Sequence, residues 1–302
     1  MKKSIKKKKI FILCLCVIAI GICLLNYYIS KNKNVKHRLQ WHVEALFGSG
    51  NPLDYIGDNK VMIAVIDSGI DDSHADLAGC VTDKYAVSGL DKNNNTDNEH
   101  GTFVCGIISG FPKDEDGVLG INSKADIISI DISDNNGIAD TDKMIEAIDY
   151  AISKRVDIIN ISVMTKNDYD KLHLAVKRAY DNGIVIVAAA GNDTDEKIGY
   201  PAGYDEVLSV GAYTKSGIKM YSELENTVYL PGKNIVSTVS GDRVYSSNDG
   251  TSAAAPVLTG IVSLILSKKD ISNTDIMECF SNYYGKKITD INEIYDYFEL
   301  SH

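Results

Sequence analysis

Ile184-Val185-Ile186-Val187-Ala188-Ala189-Ala190-Gly191-Asn192 is a run of seven apolar residues closed by a glycine and a polar amide. Successive side chains of a strand point to opposite faces of a sheet, so a half-exposed strand alternates apolar with polar residues. Absence of alternation means burial on both faces, the state of a central strand in a parallel sheet covered by helices on each side.

The flanking sequence repeats this theme. Short runs rich in β-branched residues recur at 61–66, 126–132, 156–163, 207–212 and 234–239, and between them lie helical patterns at 101–109, 141–154, 169–182 and 252–268. Alternating strands and helices predict one α/β domain over 39–302, a three-layer α/β/α sandwich with a mainly parallel central sheet. Repeats and low-complexity tracts are absent from the sequence.

Charge divides the 302 residues into two parts. Residues 1–38 hold ten Lys and Arg and no Asp or Glu; removing those ten from the 31 basic residues leaves 21 against 41 acidic ones, a charge of about −20. An acidic domain of this kind argues against a nucleic-acid partner, which requires a clustered basic face. Residues 10–25 are continuously apolar, and Asn26, Tyr27, Tyr28 and Ile29 extend the stretch to the roughly 20 residues that cross a bilayer. Lys2, Lys3, Lys6, Lys7, Lys8 and Lys9 precede it, which predicts a cytoplasmic segment at 1–9, one transmembrane anchor at 10–29, a linker at 30–38 and an exported domain. A cleaved signal peptide is the competing reading and would leave the domain secreted, but no small-x-small site follows Leu25. Of the six cysteines, Cys14, Cys16 and Cys23 lie in the apolar stretch; Cys80, Cys105 and Cys279 are too scattered for a disulfide framework and are expected as small buried hydrophobes.

Three residues stand where chemistry is expected. Asp67 directly follows the first strand in Val65-Ile66-Asp67-Ser68-Gly69, and the crevice of an open parallel sheet lies at the C-terminal ends of its strands. His100 opens a helical run in Glu99-His100-Gly101-Thr102, where the small Gly101 admits a neighbouring backbone. Ser252, in Gly250-Thr251-Ser252-Ala253-Ala254-Ala255-Pro256, sits at the start of a helix, where unbonded N–H groups and the positive end of the dipole favour a developing anion. Each alone reads equally as a turn, a structural histidine or an ordinary helix cap.

Taken together in the order Asp, His, Ser, with Ala189-Ala190-Gly191-Asn192 after the buried strand, these motifs resemble the subtilisin-like serine proteases. The resemblance runs from Leu39-Gln40-Trp41 through Gly117-Val118-Leu119-Gly120, Tyr200-Pro201-Ala202 and Pro231-Gly232 to the C-terminal region. It implies a serine endopeptidase using a Ser252–His100–Asp67 triad, with Asn192 and the Ser252 N–H as an oxyanion hole. It also implies that residues 161–164, with Ser162, Val163 and Met164, pair with an extended peptide or protein substrate beside Ala190 and Gly191. No cofactor is required. The loop 111–117 stands where the family carries calcium, which makes Asp114 and Asp116 candidate ligands, although Lys113 opposes a cage.

Several positions depart from the family pattern. Met164 stands where glycine usually lines the main specificity pocket, so a narrowed pocket and a small residue before the cut are expected. Phe103, Ala253 and Val257 replace a frequent His, Met and His, changes that bear on preference more than on chemistry. About thirty residues separate the apolar stretch from the first strand, too few for the family's folding pro-region, which suggests a narrow processing role on exported peptides. The alternatives are an inactive peptide-binding homologue and an α/β-hydrolase esterase; the second lacks a Gly-x-Ser-x-Gly elbow at Ser252 and has the wrong triad order.

Overall fold

Seven strands form the centre of the computed structural model: β1 (Met62–Asp67), β2 (Val81–Ala86), β3 (Asp126–Asp131), β4 (Ile158–Ile161), β5 (Val185–Ala189), β6 (Val207–Tyr213) and β7 (Thr227–Pro231). They lie in the order β2-β3-β1-β4-β5-β6-β7, and every neighbouring pair is parallel. The structure describes residues 40–88, 98–133, 140–193, 198–221 and 224–301. The anticipated basic segment 1–9, span 10–29 and linker 30–38 lie outside the described residues, whereas Arg38–His302 is one compact unit.

The unbroken apolarity of the central strands follows from burial on two sides. Ile63 and Val65 of β1, with Val185, Val187 and Ala189 of β5, enter one core; Ala64, Ile66, Ile186 and Ala188 enter the other. The second core is covered by α3 (Thr141–Lys154) and α4 (Asp170–Asp181), which bury Met144, Ala147, Ile148 and Ala151, and Leu172, Ala175, Val176 and Ala179. Both sets follow the i, i+3, i+4, i+7 spacing of a single helix face. The first core holds α2 (Glu99–Ser109) and α5 (Thr251–Lys268), along with the flanking helices α1 (Trp41–Phe47), α6 (Asn273–Ser281) and α7 (Asn292–Tyr297). By length and composition α5 alone among the described residues could cross a membrane, yet 83% of it is buried inside the domain, so it serves as the core helix.

The run at 234–239 does not join the central sheet. It forms β8 (Ile235–Thr238), paired antiparallel with β9 (Tyr245–Asn248) in a separate ribbon over α2, where Ser237 Oγ and Thr238 Oγ1 donate to the carbonyls of Phe103 and Thr102. The two edge strands, β2 and β7, complete the sheet instead.

Helix direction decides where the site lies. Along α5, Thr251 meets Asn192 beyond the end of β5, Thr259 meets Asn160 inside β4, and Ser267 meets Gly57 ahead of β1, so the helix runs antiparallel to the strands. Likewise α2 starts with Gly101 against the Gly69 backbone just past β1 and ends with Ser109 bonded to the Ala125 carbonyl just before β3. Both helices therefore present their N-termini at the C-terminal edge of the sheet. Strand order reverses at β1 and β4 on that edge, the place where open α/β sheets form a crevice.

Candidate active site

Asp67, the last residue of β1, is 2% exposed, and its Oδ1 accepts a 2.7 Å bond from the Ser68 N–H. His100 Nδ1 lies 2.8 Å from Asp67 Oδ1 and 2.9 Å from Oδ2. An ionised carboxylate only accepts, so Nδ1 carries the proton and Nε2 is the basic nitrogen of the neutral ring. Such a ring is fixed in one tautomer and one orientation, as proton transfer requires.

Glycine makes this contact possible. A Cβ at Gly101 would lie 2.0 Å from the Gly69 carbonyl oxygen, and Gly69 itself has φ +84°. With no side chain in the way, the first turn of α2 closes on the turn after β1: the Gly101 N–H donates to Ser68 Oγ at 3.1 Å and the Asp71 N–H to Thr102 Oγ1 at 2.8 Å.

Ser252 and Asn192 belong to a second cluster. Ser252 is the second residue of α5, half-buried, at a position whose N–H falls outside the i→i−4 ladder. Immediately before it, the Thr251 N–H and Oγ1–H donate to Asn192 Oδ1 at 2.9 and 3.0 Å, while Thr251 Oγ1 accepts from the Gly191 N–H at 3.1 Å. With Oδ1 committed as acceptor, Asn192 offers Nδ2 as donor. Gly250, the N-cap, has φ +127°, and a Cβ there would lie 2.9 Å from Asn192 Nδ2. Position 250 thus needs glycine for both conformation and space. His100 and Ser252 are each the second residue of their helices, and the two helices pack against each other.

Residues 162–164 follow β4, and Thr165 forms an isolated antiparallel bridge with Tyr200, the residue after Gly199. The Met164 side chain lies against both glycines: its Cε is 2.9 Å from where a Cβ of Gly191 would lie, and its Cε, Sδ and Cβ are 2.8, 3.1 and 3.2 Å from that of Gly199. Ala190 is fully buried, and its carbonyl accepts from Gly199 N–H at 2.8 Å. Val163 and Met164 are half-buried.

Asn160 was not singled out in the sequence. Fully buried in β4, it accepts from Thr259 Oγ1 at 2.8 Å and donates through Nδ2 to Ser162 Oγ at 3.0 Å. A polar residue inside Asp157-Ile158-Ile159-Asn160-Ile161 is the signal that could have found it, since a buried amide must be bonded.

The loop 111–117 is organised by another residue, Asp76. Its Oδ1 accepts from the Lys113 N–H, and its Oδ2 from the Val118 N–H and the Tyr245 hydroxyl. Asp114 pairs with Arg243 Nη1 at 2.8 Å and Asp114 Oδ1 accepts from the Asp116 N–H. Asp114 thus has a guanidinium as its partner, while the side chain that gathers the loop backbone is that of Asp76. Among the described residues no group of three or more His, Cys, Asp or Glu is gathered to hold a metal.

Residues 58–281 match the subtilase family, peptidase S8. The chain is 35% identical over 241 residues to the minor extracellular protease Epr of Bacillus subtilis, covering 78% of this chain and 36% of that protein. It is 36% identical over 217 residues to an intracellular serine protease of Paenibacillus polymyxa, covering 68% and 66% of the two chains. With subtilisin DY of Bacillus licheniformis it shares 35% identity over 257 residues, 78% and 91% of each. The solved structure of sphericase superposes with a TM-score of 0.69 at 25% identity, over 82% of this chain and 90% of that one. The chain thus spans from about a third to nine tenths of the length of these relatives. Since most of the domain is matched, at above 30% identity, the chain belongs to the subtilase family of serine-type endopeptidases.

Proposed function

We propose that this chain hydrolyses peptide bonds of peptide or protein substrates through an acyl-enzyme formed on Ser252. His100 Nε2 takes the Ser252 proton as Oγ attacks the scissile carbonyl, and returns it to the leaving amine. Asp67 holds the ring and stabilises the imidazolium; the Asp67–His100 contact, buried on the carboxylate side, is the observation that carries this reading. Asn192 Nδ2 and the Ser252 N–H would receive the carbonyl oxygen as it becomes anionic, and one such side-chain donor contributes about 10²–10³ in rate in subtilisin itself. Substrate would add as an extended strand along 162–164, its side chain before the cut directed towards Met164.

A narrow role on exported substrates, with the domain held at the membrane through residues 10–29, is part of the same proposal. It is supported by the apolar run behind six lysines and by the Met164 side chain lying against both Gly191 and Gly199.

A fluorophosphonate probe tests the central claim. The wild-type domain is expected to label covalently, with labelling lost in both Ser252→Ala and His100→Ala; failure of a folded wild type to label would favour a peptide-binding homologue without activity.

A further inference from the structure

Two cysteines widely separated in sequence, Cys80 and Cys105, meet in the fold. Cys80 lies between the 3₁₀ turn Ala75–Leu77 and β2, and Cys105 in α2, five residues beyond His100. Their sulfurs are 3.9 Å apart, in van der Waals contact, and both thiols are free. Cys105 is fully buried, whereas Cys80 is partly exposed, so Cys80 is the member of the pair nearer to solvent. The chain holds the segment rigidly: Cys80 O accepts from the Ile127 N–H, and Cys80 Sγ donates to the Leu77 carbonyl at 3.1 Å.

We propose that Cys80 and Cys105 are a disulfide-forming pair, oxidised by a low-molecular-weight disulfide that enters at Cys80. In the first step the Cys80 thiolate attacks one sulfur of the external disulfide, forming a mixed disulfide and expelling one thiolate. In the second, Cys105, deprotonated, attacks the Cys80 sulfur; the Cys80–Cys105 bond forms, and the second external thiol leaves. Two protein thiols are thereby oxidised by two electrons and one external disulfide is reduced to two thiols.

The microenvironment assigns the order of attack. The adjacent Cys105 S–H lowers the Cys80 thiol from its ordinary value, and the same contact, reinforced by burial, raises Cys105. The entry thiol is therefore both the more accessible and the more readily ionised of the two. A disulfide bond is about 2.05 Å long, so the sulfurs must approach by about 1.9 Å, a displacement on the scale of side-chain rotation. Cys279 differs on every count: it is buried, its thiol is pushed up to about 12, and among the described residues it pairs with no other sulfur. Once formed, the bond ties the helix that carries His100 to the segment entering β2. An exported domain meets the oxidising surroundings in which such a bond persists.

The test uses the full chain as Ser252→Ala, to prevent self-digestion, incubated with oxidised glutathione, alkylated under denaturing conditions and digested with trypsin without reductant. The expected product is a cross-link between peptides 61–84 and 93–113, about 2 Da lighter than the two thiol peptides together and abolished by dithiothreitol. Oxidation should raise Tm by about 5–10 °C, from closure of a loop of about 25 residues, and should not do so in Cys80→Ser. Alkylation of both cysteines after oxidation, or glutathione retained on Cys80, would overturn the proposal. No outcome depends on peptidase activity, so the reading of Ser252 stands or falls separately.

Discussion

Met164→Gly tests the substrate pocket directly. In the native chain the Met164 methyl and sulfur lie 2.8–3.1 Å from where a Cβ on Gly191 or Gly199 would be, so a substrate side chain directed there, as proposed, would meet Met164 if it were bulky. Truncation to glycine removes four side-chain heavy atoms and opens a cleft floored by two glycine backbones. Burying a Phe or Leu side chain there is worth about 1.5–3 kcal/mol relative to leaving it exposed. Expressed as discrimination, that is a rise of about 10–200-fold in the ratio of kcat/KM for a Phe peptide over its Ala counterpart. The assay measures kcat/KM for matched peptides differing only in that residue, using wild type, Met164→Leu and Met164→Gly. Wild type and Met164→Leu should favour Ala. The backbone cost of glycine, about 0.5–1 kcal/mol, is checked by Tm. A wild type that already cleaves the Phe peptide as well as the Ala one, or a glycine variant with an unchanged ratio, would refute the reasoning; a Met side chain that swings aside would produce that result.

His42 offers a stability test. Fully buried in α1, with neither ring nitrogen bonded among the described residues, it is pushed down to about 3 by burial. The unfolded chain binds a proton below the ordinary value of 6.5 that the folded chain refuses, so this group leaves stability intact above that pH and erodes it as pH falls towards 3, by about 2 kcal/mol at pH 5. Urea unfolding of wild type and His42→Leu at pH 7 and pH 5 should show that much less acid loss in the variant; equal losses would count against a neutral buried ring. For the N-terminus, the full chain should stay with the membrane pellet after an alkaline carbonate wash while a chain lacking residues 1–38 is soluble, and release of the full chain would dismiss the span at 10–29.

How much was legible beforehand depended on where each residue lies in the sheet. The inner strands could be read because burial on both faces forces unbroken apolarity, as in β5. β2 could not, since Val81, Thr82, Asp83 and Lys84 carry the partly exposed pattern of a sheet edge. β7 is fully buried yet short and ends at Pro231, where the missing N–H is tolerated at the last position of an edge strand. The run 234–239 was legible as a strand but not as part of a separate ribbon, because its partner β9, Tyr245-Ser246-Ser247-Asn248, has no apolar pattern. At the candidate site, glycine-rich settings singled out Asp67, His100, Asn192 and Ser252, and the structure brings His100 to Asp67 and Asn192 to Thr251 beside Ser252. Asp76 was not, because its role in loop 111–117 rests on donors that are distant in sequence.

Asn160 shows how the parts are held in register. α5 is one rigid helix carrying Ser252 in its first turn and Thr259 two turns later. Thr259 donates to Asn160, and Asn160 donates to Ser162, the residue at which the chain leaves β4 towards Met164. A single buried chain of hydrogen bonds therefore sets the helix bearing the proposed nucleophile against the segment on which substrate would lie. An apolar residue at 160 would pack as readily in the strand. It would also strand the Thr259 hydroxyl in a dry core, at a cost of about 1–3 kcal/mol, and release the helix from the strand. The amide is thus kept in an otherwise apolar strand because it fixes position, which catalysis by oriented groups requires to within fractions of an ångström.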